Sequence, residues 1–477
     1  MTASSSTKYN ANFDTRPPIS GRETTSSFPV FFSIKHKTPN IIPSNFKTCW
    51  IPFWLVMLTL INIPYLLSLR KYLKEKRKSK KPDDIRVLYY ADCLDEVNGI
   101  ANNLRHVVSF MKDHGYKVAL AGNAFNTRER GVVENHFVFL LPRFFSMEQL
   151  GYANSELAMP WIRPAFRLVK RYPIDVISLE TPSPGAWLVG ICGKIAGIKV
   201  VSHYRTDVPG YVKILVKSQL MNKYVLKLIQ LFYHFTRPVI SPTRAYKDSL
   251  IKTIRVPEKD VVILRRGIPL EDYHPEYRGQ GTWEKFGGKG KVRFLYVGRI
   301  SKEKDLPFLE NIWKEFRKEN KNAELMFTGD GWYLEELKQH FADCPEVSFS
   351  GNQGGETLSG IYADADFFIF PSGTDTFGNV VVEAIASGTP AIVTDRGGPQ
   401  DIIFEQNCGY ILPFENERAW VEQLNACTEL CMHQPEEYLK MRKNALERSK
   451  YYSIDKAAKE QFIFFKKQYR KFYGKRD

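Results

Sequence analysis

Two carboxylates, Asp375 and Glu383, bracket a glycine-bearing turn and an apolar run in TDTFGNVVVEAIASGTPAIVTD, residues 374–395. Carboxylates accept hydrogen bonds well from sugar hydroxyls, so one acid suits the ribose of a nucleotide and the other a second sugar. Upstream, in YVGRISKEKDLPFL, Arg299 and Lys304 follow Gly298 and precede a helical period. Cations beside a helix start make an anion site, and an arginine grips a phosphate through two parallel bonds. Gly329-Asp330-Gly331 in FTGDGWYLEEL is another tight turn between an apolar run and a helix. Asn98-Gly99 in DEVNGIANNL lets backbone approach a phosphate or sugar. Each group has a plainer alternative: a helix-cap neighbour for Asp375, a helix ion pair for Glu383, a solvated loop for Arg299 and Lys304, a simple turn for Asn98-Gly99.

Short β-rich runs must position these groups. IRVLYYA, KVALAG, HFVFLLP, IDVISLE, KVVSH and PVISP form one series, each separated by a helix-length stretch. VRFLYVG, AELMFTG, VSFSG, DFFIFP, AIVTD and GYILP form a second. Strands alternating with helices predict an α/β protein with two tandem doubly wound parallel sheets, whose ligands sit at the carboxyl ends of the strands. A helix is expected from Ile100 to Met111, closed by Gly115, and another from Phe377 or Gly378 to Ser387, stopped by Gly388. The polar, glycine-rich residues 278–290 read as a hinge between domains at 85–277 and 291–450. The aromatic and basic residues 451–477 read as an amphipathic helix crossing back over the domains.

Composition bounds the rest. A chain of 477 residues, 43% hydrophobic and 25% charged, is long enough for two or three domains. A formal charge of +16 favours an anionic partner, whether nucleic acid, nucleotide phosphate or acidic lipid. Seven scattered cysteines without a C-x-x-C pair argue against a disulfide framework or a structural zinc, and for a reducing compartment. Residues 1–47, rich in Ser, Thr, Pro and Asn, read as a disordered tail. Residues 48–84 hold an uncharged run, IPFWLVMLTLINIPYLLSL at 51–69, and then RKYLKEKRKSKKPDD. The expectation is a single membrane-anchor helix with the basic block and catalytic domains on the cytosolic side, drawn to anionic lipid; a buried or re-entrant helix is the alternative. The run is too far from the start for a signal peptide.

The combination of GRISKEK with DTFGNVVVEAIASGTPAIV, behind a first α/β domain, resembles glycosyltransferase family 4, retaining enzymes of the GT-B fold. VNGIANNL and ETPSPGAWLVG are most similar to its GDP-mannose-dependent α-mannosyltransferase and sulfoquinovosyltransferase branch. The resemblance runs from about Ile85 to Tyr473. It implies a hexosyltransferase with an acceptor-binding N-terminal domain and a donor-binding C-terminal one. No cofactor or metal is expected; a nucleotide-diphosphate sugar is the co-substrate, its sugar passing to a membrane lipid, with no nucleic acid partner. Arg299 and Lys304 would meet the donor diphosphate, with Gly298, Gly329 and Asp330 in the adjoining turns. Glu383 would meet the ribose, and Asp375 with the backbone of Phe377, Gly378 and Asn379 the donor sugar. Gly99 would approach the diphosphate from across the cleft. In VVSHYRTDVPGY the family's usual active-site histidine falls on Arg205, a cation that does not titrate, while His203 stands two residues earlier. A dinucleotide oxidoreductase is disfavoured because no G-x-G-x-x-G follows the first strand. A soluble transferase of the same fold and a non-catalytic membrane adaptor remain as rivals.

Overall fold

The computed structural model describes residues 51–78, 84–92, 94, 99–123, 133–135, 138–141, 143–148, 156–215, 218–289, 291–403 and 407–474. The expected tail, residues 79–83 of the basic block, and Asn98 lie outside the described residues. The N-terminal half contains β1 (Val87–Tyr90), β2 (Val118–Asn123), β3 (Val133–Asn135), β4 (Val138–Leu141), β5 (Arg143–Glu148), β6 (Glu156–Pro160), β7 (Val176–Leu179), β8 (Lys199–His203), β9 (Val239–Ser241) and β10 (Val261–Ile263). Its helices are α1 (Ile51–Lys78), α2 (Gly99–Asp113), α3 (Ile162–Arg171), α4 (Pro184–Ile195), α5 (Val208–Leu215), α6 (Gln219–Phe235) and α7 (Arg244–Lys252). Eight strands form one sheet in the order β10-β9-β8-β7-β1-β2-β4-β3, parallel except at the β3 edge, and β5 pairs with β6. The second half contains β11 (Val292–Val297), β12 (Ala323–Thr328), β13 (Val347–Gly351), β14 (Phe367–Phe370), β15 (Ala391–Thr394) and β16 (Gly409–Leu412). These form a parallel sheet in the order β13-β12-β11-β14-β15-β16. Around it stand α8 (Leu306–Glu319), α9 (Leu334–His340), α10 (Gly355–Asp364), α11 (Asn379–Ala386), α12 (Gln400–Ile403), α13 (Glu417–His433) and α14 (Pro435–Ser449).

The strands read as unbroken apolar runs because both faces of each sheet are covered. In β1, Val87 and Tyr89 face a core closed by α2 and by α15 (Ile454–Tyr473). Leu88 and Tyr90 face the opposite core, closed by α1, α3, α4 and α6. The helix α15 leaves the second domain and crosses back: Ile454, Ala458, Phe462 and Phe465 pack against the first sheet.

The spanning anchor needs correction. Residues 51–69 belong to α1, which packs over α3 and α4 with Leu55, Leu58, Leu66, Leu69 and Leu73 buried in the first domain. Among the described residues no helix is long and apolar enough to cross a membrane. The physical reason lies in the spacing: these leucines and Asn62 recur every three or four residues and form one stripe, which fits a protein groove. The buried Asn62 donates from Nδ2 to the carbonyl of Leu58 at 2.7 Å.

Residues 278–289 of the glycine-rich stretch are folded onto the second domain. Trp283 is fully buried, and the Asp364 carboxylate accepts from the N–H groups of Gly279, Thr282 and Trp283 at 2.6, 3.1 and 3.3 Å. Arg278 donates to the carbonyls of Ala363, Asp364 and Ala365 at the end of α10.

Candidate active site

The loops after β11 and β12 interlock. The Ile300 N–H donates to the Asp330 carbonyl at 2.9 Å, and a Cβ on Gly329 would lie 1.9 Å from the Gly298 carbonyl oxygen. Gly298 and Gly329 therefore serve this close packing, while the exposed Asp330 accepts the Gly331 N–H at 2.7 Å. The interlock presents the cations. Lys304, buried, places Nζ 2.6 Å from Asp375 Oδ2, and Arg299 Nε lies 3.6 Å from Glu303 Oε1. Tyr296, at the end of β11, sits among them. Its hydroxyl donates to the Arg299 carbonyl at 3.0 Å; burial pushes its ionisation up, and Lys304, Asp375, Arg299 and Glu303 all act on it.

The loop between β14 and α11 carries Asp375, Thr376, Phe377 and Gly378. Gly398 braces it, donating to the Asp375 carbonyl at 2.8 Å. Gly378 takes φ +92°, a conformation that glycine adopts without a Cβ penalty, and α11 starts at Asn379 directly after it. Glu383, about one turn in, accepts from the Tyr362 hydroxyl at 2.8 Å and from Tyr273. Burial pushes its carboxyl up to about 7, against the pull of both tyrosine hydrogen bonds.

The opposite wall belongs to the first domain. Glu180, after β7, is fully buried and accepts from Ser178 Oγ at 2.7 Å and from Arg205 Nε. Burial raises this carboxyl, but Arg205, His203 and the hydrogen bonds outweigh it and hold it below its ordinary range. His203 Nε2 lies 3.7 Å from Glu180, and burial pushes the imidazole down to about 4, so it is neutral at pH 7. Arg205 Nη1 and Arg266 Nε both donate to Asn103 Oδ1 at 3.2 Å. Arg266 Nη2 reaches the Gly99 carbonyl at 3.3 Å, and the guanidinium lies 5.7 Å from the Phe377 ring centre. Burial, then Arg205, pushes the Arg266 guanidinium down to about 9.

The two walls touch. Asn379 Nδ2 lies 3.5 Å from the Gly99 carbonyl, so the N-termini of α2 and α11 meet. Thr376 Oγ1 donates to the Arg205 carbonyl at 2.6 Å, Thr243 Oγ1 to the Thr376 carbonyl at 3.2 Å, and the Tyr246 hydroxyl to the Thr374 carbonyl at 3.3 Å. Two helix dipoles and several cations converging on one cleft, with carboxylates beside them, can hold an anion joined to a sugar.

The structure thus brings together Gly99, Arg205, Lys304, Asp375, Phe377, Gly378 and Asn379, with Arg299 and Glu383 linked through Tyr296 and the Tyr362 pair. Gly298, Gly329 and Asp330 shape the adjoining turn, and His203 lies behind Arg205. Sequence reading missed Arg266, Glu180, Asn103, Tyr273 and Tyr362. A signal for Arg266 exists: VVIL before RRGIP is an apolar run whose carboxyl end carries two cations.

Two family models match the chain in succession: Glycosyltransferase Family 4 over residues 97–272 and Glycosyl transferases group 1 over residues 283–448. The chain belongs to the glycosyltransferases of the GT-B fold. This glycosyltransferase is 27% identical over 333 residues to the sulfoquinovosyl transferase of Arabidopsis thaliana, a match covering 69% of the chain and 63% of that protein's length. It is 27% identical over 337 residues to the GDP-mannose-dependent alpha-mannosyltransferase of Mycobacterium tuberculosis, covering 69% and 84%. It is 27% identical over 336 residues to the alpha-monoglucosyldiacylglycerol synthase of Streptococcus pneumoniae, covering 68% and 74%. Among solved structures, sucrose-phosphate synthase from Thermosynechococcus elongatus superposes with a TM-score of 0.63 at 17% identity over 81% of the chain and all of its own. An Anabaena HepE structure holding UDP and glucose superposes with a TM-score of 0.62 at 16% identity, over 80% and 99%. These structural likenesses confirm the two-domain fold expected from the sequence.

Proposed function

We propose that this glycosyltransferase moves a hexosyl residue, with retention, from GDP-mannose or a UDP-sugar to a membrane lipid. The observation that carries the reading is the meeting of the α2 and α11 N-termini at Gly99 and Asn379, beside the Lys304–Asp375 pair. Breaking a sugar–nucleotide bond builds negative charge on the leaving diphosphate and positive charge on the sugar. Fixed cations and helix amides at the diphosphate stabilise that charge without reorganising. Arg299 and Lys304 take the diphosphate, Glu383 the ribose, and Asp375 with the 377–379 backbone the donor sugar. A diphosphate drawing the Lys304 ammonium frees Asp375 to accept from a sugar hydroxyl. The acceptor hydroxyl attacks from the leaving-group face and its proton passes to the departing diphosphate oxygen. Arg205 stands in the histidine position as a fixed cation.

The lipid acceptor is supported by the relatives named for glycerolipid and sulfoquinovosyl transfer, and by the basic chain. We place the catalytic domains at the cytosolic side of a membrane, where the leaflet is anionic.

The test incubates the full chain with UDP- and GDP-sugars and mixed-lipid vesicles, and follows nucleotide release. Release that requires lipid and falls roughly 100-fold or more in Lys304→Ala and in Glu383→Ala is expected. Release that requires a soluble sugar instead would move the acceptor off the membrane, and donor binding without turnover would favour the adaptor.

A further inference from the structure

The outer face of α1 is apolar. Its inner leucines are buried, yet Val56, Met57, Leu60, Ile61, Tyr65 and Leu67 point outward, with Leu60 and Ile61 54% and 57% exposed. The next residues on that face, Arg70, Lys71 and Lys74, are exposed cations. The start of α6 repeats the pattern with Leu220, 81% exposed, and the exposed Met221, Tyr224, Lys223 and Lys227. Trp161, just before α3, is also exposed.

These helices lie on one side of the first sheet, since their inner faces share one core. They are also one-sided in charge. Together α1, α3 and α6 carry twelve lysines and arginines against a single acid, Glu75.

Their direction sets where the apolar ends fall. Arg77, near the end of α1, donates to the Ile174 and Gly197 carbonyls, which precede β7 and β8. Tyr72 donates to the Lys170 carbonyl near the end of α3, while Tyr65 lies 5.4 Å from Arg163 at its start. So α1 runs alongside α3, and its residues before Tyr65 project past the start of α3. That is the side of the strand carboxyl ends, which carries the cleft. The exposed start of α6, following β8 and α5, lies at the same edge.

We propose that α1, α3 and α6 form a docking surface for an anionic bilayer, with α1 lying in the interfacial plane. Its apolar strip enters the boundary of the acyl chains, its basic end meets head groups, and the cleft mouth is held at the lipid surface. Amphipathic helices that bind this way combine buried apolar area with attraction to anionic lipid. The proposal deepens the lipid-acceptor reading, but docking needs no sugar transfer and is measured without donor.

The experiment sediments the full chain with vesicles of phosphatidylcholine alone and of phosphatidylcholine with phosphatidylglycerol. Binding is expected only with phosphatidylglycerol, to weaken with salt, and to fall roughly tenfold or more in Leu60→Glu/Ile61→Glu. Both positions are exposed, and an unchanged melting temperature and nucleotide affinity will show the variant folded. A second variant, Leu220→Glu/Tyr224→Glu, is expected to weaken binding likewise. Undiminished binding in both variants, no binding to phosphatidylglycerol vesicles, or resistance to alkaline carbonate extraction would overturn the proposal. So would a dimer in light scattering that Leu60→Glu/Ile61→Glu dissociates, which would assign the face to a second copy of the chain.

Discussion

Glu383 is the residue whose environment departs furthest from what its letter suggests. In sequence it is an acid inside an apolar helix, legible as a ligand only through its spacing from Asp375. Tyr273 and Tyr362, which enclose it, come from segments about 110 and 21 residues away in the chain, and no local pattern ties them to it. The same distance in sequence hid Arg266 and Glu180, whose role depends on four loops meeting. Lys304 and Asp375 were legible only in combination, through the resemblance carried by GRISKEK and DTFGNVVVEAIASGTPAIV, since each alone has a plainer structural role. The half-buried Glu383 carboxyl, raised from 4.5 to about 7, binds its proton more tightly in the folded chain than in the unfolded one. Its contribution to stability is therefore full below about 4.5 and is lost as pH rises through about 7. Melting temperatures of wild type and Glu383→Gln measured across this range should diverge, wild type falling relative to the variant as pH rises. Parallel curves would mean that Glu383 does not titrate there. Arg266 faces Gly99 and Phe377 from the loop after β10, so Arg266→Gln should raise the donor KM roughly tenfold with a smaller change in kcat. An unchanged KM would remove Arg266 from the donor side of the cleft.

At the scale of elements, the strands were the legible part. All twelve apolar runs are strands, because a strand buried on both faces has nothing polar to interrupt it. The strands not foreseen, β3, β5, β6 and β10, are edge strands or a separate pair, where exposure dilutes the apolar signal. The helix α1 misled for the opposite reason. Lipid and protein cores both select an uncharged run, and only the leucine stripe separates them. The 278–290 stretch reads as a hinge by composition, and the buried Trp283 within it, which packs into the core of the second domain, has no signal in that polar surrounding. Interlocked loops explain why Gly329 is a glycine. Its φ of +137° and the Gly298 carbonyl leave no room for a side chain, so Gly329→Ala should cost about 2 kcal/mol or more of stability. Thermal denaturation with a midpoint matching wild type would show that the two loops are not packed as described.

The whole molecule is held in one arrangement by contacts across the cleft. The Asp401 carboxylate accepts from the N–H groups of Arg244 and Ala245, capping α7 from the other domain, and Thr376 bridges Arg205 and Thr243. Closure of this kind excludes water from the donor and so limits its hydrolysis. Asp401→Ala removes a helix cap worth about 1 kcal/mol, and small-angle scattering should show a larger radius of gyration with faster donor hydrolysis in the absence of acceptor. An unchanged radius would mean that closure does not depend on this cap. Tandem sheets and a cleft were legible in the order of strands, whereas these contacts were not, since each joins residues more than 100 positions apart. The most direct measurement is mass spectrometry and NMR of the lipids recovered after the full chain has turned over a nucleotide sugar on vesicles. A lipid carrying one added hexose, with the anomeric configuration of the donor, is the predicted result. Sugar found only free in solution, or on lipid with inverted configuration, would contradict it.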